Sequence, residues 1–227
     1  MRENAEFTYG AMSDTGMTYR LQTYGRIIAI TRQALINDDK RLFSRVPQQF
    51  GFKAKDLESD LVWGIIVSNP TMADGFALFS NQHGNLGAGA AINVTSVAAG
   101  RQAMATQKSA EGGFITVRPA FLVVGPAKQT EAEQFLTAVA AAQPSNVNPF
   151  AGKLQLIVEP RITDNSWYLV ADPSAIDTIE LSHLEGQEGV FIETQAGFDV
   201  DGIKTKARLD VGAATIDFRG FYRNPGN

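Results

Sequence analysis

The sequence predicts an α+β fold, and three features of its patterning carry that expectation. A long helical period runs down to Ser68, and two shorter helical patterns follow at 94–108 and 126–142. From Leu154 onward the pattern is one of short strands. The order is therefore a polar hairpin, a long helix, two shorter helices and then a sheet.

The 227 residues are 44% hydrophobic and 19% charged, enough for one large or two small domains with a real core. A net charge of -4 and a pI near 5.2 argue against a dedicated nucleic-acid binder, which needs a basic face to displace counterions. With 0 cysteines there is no disulfide framework, thiolate nucleophile or sulfur-ligated zinc. No apolar run approaches the ~20 residues a membrane span needs. The opening residues 1–10 lack the apolar core of a signal peptide.

In chain order, Ala5 to Tyr9 and Met17 to Tyr24 read as strands around the turn cluster Ser13-Asp14-Thr15-Gly16. Both faces of this hairpin are polar, so it either projects and rests on something else or folds back as an edge of its own domain. Arg26 to Thr31 extends as a strand, and Asn37 or Asp38 is the cap expected for a short helix over Asp39 to Arg45. Pro47 then suits the first turn of a second helix ending at Ser68, before Asn69-Pro70. Phe50, Ala54, Leu57, Leu61 and Ile65 fall on one face of it, widened by Val62 and Ile66. With the preceding segment from Asp38, a continuous helix would reach roughly 45 Å at about 1.5 Å per residue. Such a length suggests a structural spine.

Thr71 to Ala91 is rich in Gly, Asn and Ala and reads as a long surface loop, with a short strand at Ala77 to Phe79. Val94 to Lys108 is expected as a helix with Val97, Ala98, Met104 and Ala105 inward, and Pro119 to Val124 as a buried strand. Gly125-Pro126 opens a helix through about Ala142. Strands follow at Leu154 to Val158, Trp167 to Ala171, Thr178 to Leu184, Val190 to Thr194, and Ile203 to Tyr222 with a break near Gly212.

Catalytic inventory is thin, and no catalytic, cofactor-binding or metal-ligating residue is expected. Only His83 and His183 could act as a base. His83 sits in the polar run Asn81 to Asn85, where a solvated imidazole is expected, and His183 shares a strand face with Ile179 and Leu181 as a half-buried structural residue. Asp56 and Asp60 are i,i+4 neighbours on the polar face of the spine. Gly84 to Gly89 lacks the Lys-Ser/Thr of a phosphate loop.

Several stretches, in consistent order over nearly the whole chain, carry a family resemblance. They are 23–27, 31–39, Leu57-Glu58-Ser59-Asp60-Leu61, 72–75, 77–79, His83-Gly84-Asn85-Leu86, 148–152, 197–202 and the closing Asp217-Phe218-Arg219-Gly220-Phe221-Tyr222-Arg223-Asn224-Pro225-Gly226. Together they resemble the Mu-like major head subunits of tailed phages and prophages. The resemblance implies a Hong Kong 97-type capsid fold: an extended-loop hairpin at 1–24, a peripheral domain at 25–93 and 172–211 with its spine at about 47–68, and an axial domain at 94–171 and 212–227. It implies a non-enzymatic structural protein that self-associates as pentamers and hexamers into an icosahedral head shell enclosing DNA. Further implied partners are portal, scaffold or decoration proteins and weakly held DNA, with no membrane; the location is the virion, and the host cytoplasm before assembly. Encapsulin compartments share the fold and are the nearest alternative; a small hydrolase using His83 or His183 is the alternative of another class. Family members also carry an N-terminal arm. Here Met1 lies almost inside the hairpin, as in a shortened prophage copy or a trimmed chain.

Overall fold

A computed structural model describes residues 19–37, 45–109, 112–137, 150, 152–197 and 201–227. Two sheets and one long helix organise them. β1 (Gln22–Thr31) leads into the short helix α1 (Arg32–Ile36), and α2 (Val46–Ser68) is the long helix. Then come α3 (Val94–Ala105), β2 (Pro119–Val124), a 3-10 turn at Pro126–Lys128, α4 (Gln129–Thr137), β3 (Gln155–Val158) and β4 (Trp167–Ala171). The chain finishes with β5 (Ile179–His183), β6 (Phe191–Ala196), β7 (Gly202–Thr215) and β8 (Phe221–Asn224).

β7 is the centre of the first sheet. Its full antiparallel register with β1 runs from Gln22 opposite Val211 to Thr31 opposite Gly202. β5 and β6 share its other edge, one after the other. The predicted alternation in β7 is present: Thr205, Ala207, Leu209 and Val211 are buried, while Lys204 and Lys206 are exposed. α2 packs on β7 and β5, and the five-residue α1 touches β1 and β7.

The second sheet has the order β3-β2-β4-β8, with β2 and β3 parallel and the other pairs antiparallel. The 3-10 turn and α4 supply the crossover that a parallel pair requires. Strand alternation sorts its side chains onto two faces. Leu122, Val124, Trp167, Leu169 and Tyr222 pack with α3 and α4, around Val97, Met104, Ala132 and Phe135. Val123, Tyr168 and Phe221 pack on the other side with Leu78, Phe79 and Ile66, the last from the end of α2. The sheet is thus buried on both faces, which explains why β2 and β4 read as apolar runs.

Several expectations need correction. The segment 71–91 is not a surface loop. Its Leu78 and Phe79 are core residues, and the small residues permit close approach: a Cβ on Gly87 would collide with the Tyr222 hydroxyl, and one on Gly89 would sit 2.5 Å from the Gly226 carbonyl. In place of a strand at Ala77 to Phe79 there is a single bridge from Thr71 to Ala77. β7 passes straight through Gly212 to Thr215, and the break falls at 216–220. At the other end of the chain, Thr31 caps the unforeseen helix α1 by accepting from the Ala34 amide at 3.3 Å, and Asn37 ends it; Asp38, the other cap expected for the next helix, lies outside the described residues. α3 stops at Ala105, and α4 is described only to Thr137. The strand at Ala5 to Tyr9, most of the Asp39 to Arg45 helix and residues 138–142 lie outside the described residues.

Burial ranks these contacts. Phe79→Ala, at a side chain only 1% exposed, is expected to lower unfolding free energy by roughly 3–5 kcal/mol. Phe52→Ala, at one that is 65% exposed, should stay within about 0.5 kcal/mol. Urea unfolding of the unassembled subunit measures both.

Candidate assembly surfaces

The spine is 23 residues long, or about 34 Å, and begins as expected with Pro47 in its first turn. The apolar stripe faces the protein, yet only Phe50 and Ile66 are fully buried; Ala54, Leu57, Leu61, Val62 and Ile65 remain half-open. Its C-terminal half is firmly tied. Asn69 adopts a left-handed conformation (φ 51°) and closes the helix, its side chain donating to the Phe79 carbonyl at 3.1 Å and accepting from the Phe79 amide at 2.6 Å. The Arg161 guanidinium donates to Asp60, to Glu159 at 2.9 Å and to the Asp56 carbonyl at 3.2 Å, fixing α2 against the turn after β3. Asp60 is therefore not merely solvated.

The N-terminal half of α2 is looser. Between it and β1 an open groove of about 670 Å³ is lined by Tyr24, Ile28, Phe50, Ala54, Leu57 and Leu209, among others. Beside it Ile27 stands 64% exposed on the opposite face of β1. The outer face of the sheet is wet, with Lys206 paired to Glu193 at 2.6 Å and the Arg208 guanidinium over the Phe191 ring at 5.2 Å.

Both histidines are tied to carboxylates. His83 is buried, which corrects the solvated imidazole expected in the run Asn81 to Asn85. Its Nδ1 lies 3.1 Å from the Leu78 carbonyl oxygen and its Nε2 2.6 Å from Asp74 Oδ2, so both nitrogens meet acceptors. The ring stacks on Phe218 with centroids 3.8 Å apart, while Gln107 donates to the His83 carbonyl at 2.8 Å. Asn85 completes the knot by donating to the Leu78 and Phe218 carbonyls. His183 is half-buried as expected, and its Nε2 lies 2.9 Å from Glu58 Oε1, joining β5 to the spine. Sequence reasoning missed both pairings because Asp74 and Glu58 lie 9 and 125 positions away.

Among the described residues no group of His, Asp or Glu gathers to hold a metal ion, and no helix is long and apolar enough to cross a membrane. The geometry defines a class of protein: a two-sheet subunit braced by a half-covered strut, built for extended contact with other molecules.

Comparisons with known proteins give that class a family. The model of the phage capsid protein family matches residues 15–224. The chain belongs to that family and is a structural capsid subunit. Its fold is shared with the capsid of Ralstonia phage GP4 (TM-score 0.63, 11% identity, 91% of this chain and 74% of that one). A phage-related protein from Bordetella bronchiseptica is similar as well (TM-score 0.60, 11% identity, 97% and 80%). So is the holo-SrpI encapsulin complex of Synechococcus elongatus (TM-score 0.57, 11% identity, 90% and 73%). No curated protein sequence matches the chain. At these identities the structural matches speak for the fold alone.

The Asp74 pair has a pH signature. Partial burial pushes the Asp74 carboxyl up, but the Phe76 amide and the His83 ring outweigh it and hold the group below its ordinary 3.8. A depressed folded-state value stabilises above the unfolded one and is lost as pH falls through the folded one. Asp74→Asn is therefore expected to remove part of the stability loss seen below about pH 4. Urea midpoints across that range check it.

Proposed function

We propose that this chain is the major subunit of an icosahedral phage head, packing as pentamers and hexamers into a shell around DNA. The observation that carries the reading is the half-covered spine. A 23-residue helix with two fully buried side chains leaves an apolar stripe, an adjoining groove and an open sheet that the described residues of one subunit do not cover. Shell subunits need many moderate contacts in place of one deep site, and head-to-tail contacts that close by rotation build rings. The family match favours a phage head over an encapsulin compartment.

In this reading 1–24 is the extended loop, which rests on a neighbouring subunit. The sheet of β1, β5, β6 and β7 with α2 is the peripheral part, expected at 25–93 and 172–211, though β1 starts before those bounds at Gln22 and β7 runs past them to Thr215. The sheet of β2, β3, β4 and β8 with α3 and α4 is the axial part, within 94–171 and 212–227. Since β7 continues to Thr215, the crossing back into the axial part falls at 216–220. Portal, scaffold and decoration proteins are the further partners such a shell takes. Packaged DNA is lined rather than gripped, in keeping with a net charge of -4. Before assembly the subunit resides in the host cytoplasm. No catalytic role is proposed for His83 or His183.

Size-exclusion chromatography with electron microscopy tests this directly. Rings of five or six, or closed shells, are expected; a strictly monomeric protein whose hydrolase activity disappears in His83→Ala would overturn the reading.

A further inference from the structure

At one end of the second sheet the charges are sorted by sign. The parallel strands β2 and β3 begin at Pro119 and Gln155, and Arg118 and Lys153 stand just before those starts. Arg101, from α3, reaches the same place, and the three cations with Ala98, Phe150 and Leu154 line an open notch of about 750 Å³ with no carboxylate among its described lining residues. The Arg101 guanidinium rests 4.7 Å from the Phe150 ring centroid. Among the described residues none of the three cations has an ion-pair partner. The adjoining sequence 138–149 contains no charged residue at all.

The carboxylates lie across the same end. β4 is antiparallel to β2, with Pro119 opposite Ala171, so the chain leaving β4 emerges beside the strand starts. It carries Asp172 and Asp177, both exposed and both without a cation partner among the described residues. Asp172 accepts from the Ser174 hydroxyl at 2.6 Å and its amide at 2.8 Å, which hold its carboxyl below the usual range. Ile176 and Thr178 lie against Gly220, so this segment turns toward the β8 flank, away from β3. One end of the sheet thus carries unpaired cations on the β3 flank and unpaired carboxylates on the β8 flank, where Arg219 is paired with Asp217 at 2.9 Å.

Such a separation suits a contact in which unlike flanks of successive copies meet. A long polyanion crossing this end would be attracted at the notch and repelled at Asp172 and Asp177, so nucleic acid fits it less well. We propose that the notch of Arg101, Arg118 and Lys153 receives the Asp172 to Asp177 segment of a second copy of this chain, in a head-to-tail contact repeated about a rotation axis. The inference rests on the shell-subunit reading and names a contact that sets its register. Unlike-charge flanks also disfavour the reversed pairing, in which like charges would face each other.

The test uses the full chain in four forms: wild type, R118E/K153E, D172N/D177K, and the combination of all four changes. All four positions are exposed, Asp172→Asn keeps a side-chain acceptor for the Ser174 turn, and melting curves of the unassembled protein verify folding. Each double variant is expected to lower the assembled fraction at least tenfold at low salt, with added salt weakening the wild type as well. The fourfold variant, with the charges exchanged, is expected to recover much of that loss. Double variants that assemble like wild type overturn the inference and leave the shell reading standing, as does a fourfold variant no better than the doubles. Wild-type assembly with R118E/K153E losing only affinity for a DNA 30-mer would make the notch a nucleic-acid site, and also overturns it. A wild type that forms no oligomer overturns both.

Discussion

The close seating of residues 69–91 against the last strand holds this subunit together. That segment leaves the spine at Asn69, fills one face of the second sheet with Leu78 and Phe79, and then runs beside β8. The Gly87 amide donates to the Arg223 carbonyl at 2.8 Å, and the Asn85 carbonyl accepts from the Arg223 amide at 2.8 Å. Asn224 donates to the Ala88 carbonyl at 2.8 Å and accepts from the Ala90 amide at 2.9 Å. These contacts exist only because Gly87 and Gly89 have no Cβ. They convert a segment that would otherwise be a loose linker into the joint between strut and body.

The other half of the molecule has the opposite character. Where α2 is anchored, at Asp60, Ile66 and Asn69, buried apolar contacts and hydrogen bonds act together. Where it crosses the first sheet, Phe50 is the lone fully buried side chain and the groove beside it stays open. Among the described residues β1 has no neighbour on its outer edge along ten residues, and it holds no proline or bulge to discourage pairing. An isolated enzyme would gain nothing from that exposure, whereas a shell subunit completes it with neighbouring copies. The rigid and the incomplete halves meet in the middle of a single helix.

Much of this was legible in the residues. Pro47 and Asn69 mark the spine to within a residue, and β2 and β4 stand where their apolar runs begin and end. The period of two in β7 announced one wet face. What stayed hidden was long-range. The Gly, Asn and Ala of 71–91 give the same local signal whether they serve flexibility or close packing, and only the arrival of Tyr222 and Gly226 decides between them. His83 looked solvated because its immediate neighbours are polar; Phe218, which stacks on it, is distant in the chain. The cationic notch draws Arg101, Arg118 and Lys153 from three elements and no local pattern flags it. Thr31 as a cap was within reach of sequence reasoning, since an alanine amide three residues on is what such a side chain satisfies; the polar Asn37-Asp38-Asp39 cluster drew attention away from it.

Hydrogen exchange on unassembled and assembled protein tests the central claim, that a rigid joint carries a half-finished strut. Amides of 78–90 and β8 should be protected in both states, while those of β1 and of α2 from Val46 to Leu57 should gain protection on assembly. Equal protection of β1 and the start of α2 in both states, or rapid exchange in β8 before assembly, would contradict it.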